Sequence, residues 1–150
     1  MAEPAHVSTP KKIAVVEGDE DCLYLIQMVL ADCGAELVAA GSGQCGLELI
    51  RSCQPDLVIL DLALPDMNGW EVYIQMQADA LQNRAIPVII LSDDGTRVDR
   101  TFSLRVAQVH DYQVKPFLPS QLRKSVLEAL REKTHGKTGA AGHAGEESRV

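Results

Sequence analysis

The sequence contains no apolar run approaching the roughly 20 residues of a membrane span. Met1 to Pro10 lacks the apolar centre of a signal peptide. Basic residues are in deficit, 14 against 21 acids, for a formal net charge of -7. That sign argues against a surface built to neutralise nucleic-acid phosphates or to bind anionic membranes. Cys22, Cys33, Cys45 and Cys53 form no C-x-x-C pair and have no zinc-site spacing. They are expected as small buried hydrophobes in a reducing compartment. These absences point to the cytoplasm, with no direct nucleic-acid or membrane partner. What remains is ordinary for one globular domain: 150 residues, 46% apolar and 23% charged.

The two ends carry little that can pack. Residues 1–10 are polar with two prolines and read as a loose arm. Residues 134–150 have no bulky apolar side chain before Val150 and read as a flexible, low-complexity tail. The tail glycines (Gly136, Gly139, Gly142, Gly145) are too few for collagen, and His135 and His143 have no specific role there.

Between the ends, from residue 11 to 133, strand and helix patterns alternate. Ile13-Ala14-Val15-Val16, Leu37-Val38-Ala39-Ala40, Leu57-Val58-Ile59-Leu60, Val88-Ile89-Ile90-Leu91 and Tyr112-Gln113-Val114 predict five strands. Cys22, Leu25, Ile26, Val29, Leu30 and Cys33 recur at helical spacing, with Gly34 as a stop. Ser42 is an expected N-cap for a helix carrying Leu47 and Ile50 that stops before Pro55. Val72, Tyr73 and Met76 suit a third helix, and residues 98–108 a weak fourth. Pro119 as first helical residue, or Ser120 as cap, opens a last helix with Leu122, Val126, Leu127 and Leu130. Continuous apolar runs fit strands covered on both faces, so the fold class is α/β with a parallel sheet.

In such sheets the chemistry lies beyond the carboxyl ends of the strands. Glu17, Gly18, Asp19, Glu20 and Asp21 follow the first strand. Asp61 ends the third; Ser92, Asp93 and Asp94 follow the fourth; Lys115 and Pro116 follow the fifth. Acids from three loops are thus expected to converge with one lysine. Between residues 11 and 133 there are 18 acids and 12 bases, and seven of the acids lie in these loops. Close like charges are costly without a cation, and an oxygen-rich cluster suits Mg²⁺. Some of these acids have simpler roles. Glu20 and Asp21 suit the first turn of a helix, Asp19 its N-cap, and Asp94 a solvated turn.

Pro55-Asp56-Leu57-Val58-Ile59-Leu60-Asp61-Leu62-Ala63-Leu64-Pro65-Asp66-Met67-Asn68-Gly69 is the strongest motif. Pro87-Val88-Ile89-Ile90-Leu91-Ser92 and Tyr112-Gln113-Val114-Lys115-Pro116-Phe117 follow it. In order and spacing they resemble the response-regulator receiver domain of two-component signalling. The resemblance implies a flavodoxin-like (βα)5 fold, doubly wound, with strand order 2-1-3-4-5. It implies that Asp61 is the phosphoacceptor, served by a sensor histidine kinase or a histidine phosphotransfer protein with Mg²⁺. Lys115 would neutralise a phosphoryl oxygen and Ser92 would hydrogen-bond the phosphoryl group. Tyr112 would be a switch whose ring turns inward as Ser92 is drawn to the phosphate. The metal would be held by Glu17, Asp61 and the Ala63 backbone carbonyl. Such a module is a regulatory phosphoacceptor, not an enzyme.

Three residues depart from the family pattern. Gly18 stands where a metal-binding acid is usual, so Mg²⁺ is expected to bind weakly or to recruit Asp19. Asp93 stands where a small residue is usual and is expected to modulate the phosphorylation rate. Gln108 stands where a glycine is common. Leu23, Tyr24 and Met28 lie off the first helix's core stripe and suit a docking surface for a kinase, or partial burial. Output is expected through a downstream protein or a homodimer, using the fourth helix, fifth strand and last helix, because residues 134–150 are too short for a further domain. A degenerate receiver that binds partners without phosphorylation is the alternative, with Gly18 in its favour and Asp61, Ser92 and Lys115 against it. A flavin carrier would need a phosphate loop where Glu17 to Asp21 stand. An aspartate-based phosphatase would need an acid at Ala63.

Overall fold

A computed structural model describes residues 9–80, 85–93 and 109–131. β1 (Lys12–Val16) pairs on one side with β2 (Glu36–Ala40) and on the other with β3 (Leu57–Asp61). β4 (Val88–Ser92) and β5 (Asp111–Val114) extend the sheet beyond β3. All four pairings are parallel, in the order β2-β1-β3-β4-β5. The helices are α1 (Glu20–Val29), α2 (Gly43–Cys53), α3 (Gly69–Ala80) and α4 (residues 119–131). The weak helix expected over 98–108 lies outside the described residues, as do Asp94, Gln108 and both termini.

β3 and β4 are buried along their whole length, as unbroken apolar runs predict for central parallel strands. Alternate residues feed two cores. Ile13, Val15, Ile59, Ile89 and Leu91 pack under α1 and α4, against Ile26, Leu122 and Val126. Ala14, Val16, Val58, Leu60 and Ile90 pack under α2 and α3, against Leu47, Ile50, Val72 and Met76.

The helix boundaries follow local chemistry. Asp19 caps α1, its side chain accepting from the Asp21 amide, with Glu20 and Asp21 in the first turn facing the helix dipole. Ser42 caps α2 through the Cys45 amide at 3.2 Å. Pro119 begins α4, where its missing N–H costs nothing.

Three expectations shift. α1 ends at Val29, and Gly34 instead takes a left-handed φ of 83° in the turn before β2. The α1 stripe is rotated: Leu23 packs against the core, whereas Leu25 is exposed beside Tyr24 and Met28. None of the cysteines is fully buried, and Cys45 is exposed.

Candidate functional site

Parallel strands deliver their carboxyl ends to one edge of the sheet. Glu17 directly follows β1, Asp61 ends β3, and Lys115 directly follows β5. Backbone bonds hold two of them, the Glu17 amide donating to the Ala40 carbonyl at 3.0 Å and the Lys115 amide to the Ser92 carbonyl at 2.8 Å, while Asp61 is held in register with Leu91 of β4. The loop after Asp61 is closed by the Gly69 amide donating to the Leu62 carbonyl at 2.9 Å. A Cβ on Gly69 would collide with the Asp61 carbonyl oxygen and Leu62, so only glycine permits this closure.

Lys115 Nζ donates to both oxygens of Glu17, at 3.1 and 3.3 Å, and lies 3.4 Å from Asp61 Oδ2. The two carboxylates are 0% and 5% exposed, so a single ammonium serves two buried acids. Asp61 Oδ1 also accepts from the Ala63 amide at 3.2 Å, and Glu17 Oε2 from the Asp19 amide at 3.1 Å. Burial, with the hydrogen bond and charge of Glu17, pushes the Asp61 carboxyl up to about 6, against the Ala63 amide and Lys115. Burial disfavours the Lys115 ammonium, but the hydrogen bond and charge of Glu17, helped by Asp61, outweigh it and hold that pKa above its usual value. Burial and the neighbouring Glu17 push the Cys22 thiol up to about 12, so it adds no charge to the site.

The other predicted residues are dispersed around this trio. Ser92 ends β4 and is buried. Tyr112 is 1% exposed and belongs to the core that contains Ile90 and Val109. Ala63 is exposed and bridges to Asn68. Asp93 is exposed just beyond β4. Asp19, Glu20 and Asp21 are exposed at the start of α1. Among the described residues, Glu17 and Asp61 are the acids that Lys115 holds together. Among the described residues, no three His, Cys, Asp or Glu side chains gather to hold a metal ion. A Cβ on Gly18 would lie 3.1 Å from Pro65 Cδ and 3.2 Å from the Gly41 carbonyl, a tight but nearly adequate space.

Asp66 is a contributor that the sequence reading missed. Its two oxygens accept from the Gly43 and Gln44 amides at 2.7 and 3.0 Å, tying the loop after Asp61 to the start of α2. Those bonds, Gln44 first, lower its pKa. The available signal was an α2 first turn without an acid of its own.

The receiver-domain family of response regulators matches residues 13–127. The chain belongs to that family. The receiver is 34% identical over 121 residues to the DNA-binding response regulator MtrA of Mycolicibacterium smegmatis, covering 81% of this chain and 51% of MtrA. It is 31% identical to the Bacillus subtilis alkaline phosphatase synthesis transcriptional regulatory protein PhoP, covering 81% and 49%. The chain thus spans about half the length of these curated relatives. Among solved structures, a CheY-like receiver domain protein of Methanospirillum hungatei superposes with a TM-score of 0.74 at 26% identity, covering 85% of this receiver and 99% of that chain. The receiver domain of the Francisella response regulator 1452 does so at 0.74 and 25%, covering 83% and 98%. No described helix is long and apolar enough to cross a membrane.

Proposed function

We propose that this receiver takes a phosphoryl group onto Asp61 from a phosphohistidine of a sensor histidine kinase or histidine phosphotransfer protein. The observation that carries the reading is one lysine shared by two buried carboxylates at the ends of β1 and β3. An Asp61 oxygen attacks phosphorus, the P–N bond to the histidine breaks, and the imidazole leaves. Catalysis is then a matter of positioning and of neutralising the phosphoryl oxygens. Lys115 carries the positive charge, and its move from Glu17 to a phosphoryl oxygen costs little reach. Ser92, whose carbonyl accepts from the Lys115 amide, supplies a hydroxyl from the end of β4.

Two buried carboxylates face one ammonium, and burial first, with the hydrogen bond and charge of Glu17, raises the Asp61 pKa. The donors fit a hydrated Mg²⁺ held by Glu17, Asp61 and the Ala63 carbonyl, since this ion keeps several waters and uses few carboxylates. When bound, it supplies charge for the phosphoryl oxygens. Gly18 offers no side-chain oxygen, and Asp19 Oδ1 already caps α1, so affinity is weak. Output runs through contacts with a downstream protein or a second copy of the chain, on the face of β5 and α4. Exposed Asp93 adds negative charge near the incoming phosphate and slows its arrival; Asp93→Ala speeds phosphorylation.

The test is phosphoryl uptake from acetyl phosphate with Mg²⁺, followed by intact mass. One added phosphoryl group, absent in Asp61→Asn and slowed at least about tenfold in Lys115→Ala, is expected. No uptake either from acetyl phosphate or from a panel of phosphorylated kinases would replace this reading with the degenerate one. Gly18→Asp should tighten Mg²⁺ binding measured by Trp70 fluorescence; an unchanged affinity contradicts the metal assignment.

A further inference from the structure

Gln113 pairs in register with the fully buried Leu91 of β4. It is itself 9% exposed, a carboxamide at a position where a sheet buries apolar groups. Its Nε2 donates to Asp111 Oδ2 at 3.0 Å and to the Gln121 carbonyl at 3.3 Å. Its Oε1 has no partner among the described residues, and neither does Ser125 Oγ on α4, which is 4% exposed. Both side chains line a cleft of about 470 Å³ between β5 and α4. A buried acceptor left unpaired carries a desolvation cost that an apolar pair here would not.

The chemistry of the cleft selects its occupant. Gln113 Oε1 only accepts, and Ser125 Oγ can accept. The Asp111 and Glu128 carboxylates on its walls only accept, opposed by the one ammonium of Lys124. Leu118, also lining it, is 58% exposed and offers an apolar surface for a side-chain stem. A group that is cationic, planar and donor-only, on an apolar stem, matches every part of this set. We propose that the cleft between β5 and α4 receives an arginine side chain of a partner protein. The inference deepens the output contacts proposed above. It is independent of phosphotransfer, because residues of β5 and α4 form the cleft in the unmodified chain and its failure would leave Asp61 chemistry untouched.

The test is an NMR titration of the ¹⁵N-labelled full chain with acetyl-Gly-Arg-Gly-amide, and with the citrulline peptide as its neutral isostere. The arginine peptide is expected to shift the Gln113 side-chain amide and the Ser125 and Glu128 backbone amides saturably. It should bind at least about tenfold more tightly than the citrulline peptide. Gln113→Leu should abolish those shifts with a dispersed, folded spectrum retained; Ser125→Ala, a smaller change, should weaken binding in the same sense. No saturable shift means that only water satisfies the two polar atoms, and overturns the proposal. Equal binding of both peptides, or binding unaffected by the two substitutions, overturns it as well.

Discussion

At the scale of single residues, Asp61 works against the fold that holds it. Its carboxyl pKa, about 6, is raised from the model-compound value of 3.8 by burial and by Glu17. A raised acid pKa means that the folded chain holds the proton more tightly than the unfolded one. Stability is therefore lost as pH climbs from about 4 to about 6 and stays lost above that. Asp61→Asn should stabilise the protein by on the order of 2 kcal/mol at pH 7.5, with the gain vanishing near pH 4. Denaturant unfolding at the two pH values checks this. Lys115→Ala should do the reverse. It strands two buried carboxylates, and roughly 3 kcal/mol of stability should be lost at pH 8, less at pH 5, where a proton can replace the ammonium. Equal losses at both values would mean that Lys115 contributes packing rather than charge. Asp61 was legible in the sequence because an acid ending four buried apolar residues needs a partner. Asp19 was legible as a cap. Glu20 and Asp21 were legible too, as first-turn acids that face the α1 dipole.

At the scale of elements, the loop after β3 is fixed by contacts that no local pattern announces. Gly69 lets the loop close against the Asp61 carbonyl, so Gly69→Ala should cost about 2 kcal/mol or more and disturb the position of Asp61. A thermal unfolding curve, with the rate of phosphoryl uptake, checks both effects. Asp66 caps α2 from the β3–α3 loop, 23 residues away in sequence. Asp66→Ala should lower the Tm and speed hydrogen exchange at the Gly43 and Gln44 amides selectively. Because its carboxyl pKa is lowered, this contribution is present at neutral pH and fades as acid protonates it. Unchanged exchange at those two amides would remove the capping role. Central strands were readable because burial on both faces leaves unbroken apolar runs. The phase of α1 was not, since Cys22, Leu23, Leu25 and Ile26 offer two overlapping stripes, and only packing under β1 and β3 chooses Leu23 over Leu25. Gln113 was invisible for a related reason: between Tyr112 and Val114 it reads as one residue of a short strand, and its bond to the Gln121 carbonyl appears only once α4 is in contact.

At the scale of the whole molecule, the net charge of -7 has a local consequence and a diffuse one. Among the described residues, most of the acids are exposed or cap helices. The uncompensated pair is Glu17 and Asp61, and the parallel order β2-β1-β3-β4-β5 is what brings β1, β3 and β5 ends within reach of Lys115. The family's fold thus supplies the geometry that brings Glu17, Asp61 and Lys115 together. The most direct measurement is to locate the phosphoryl group. The chain is treated with acetyl phosphate and Mg²⁺, the acyl phosphate is trapped by borohydride reduction, and the peptide spanning β3 is sequenced by mass spectrometry. Modification at Asp61, lost on chelation of Mg²⁺ and in Asp61→Asn, is the predicted result. A phosphoryl group on any other residue, or undiminished modification without Mg²⁺, would contradict the account.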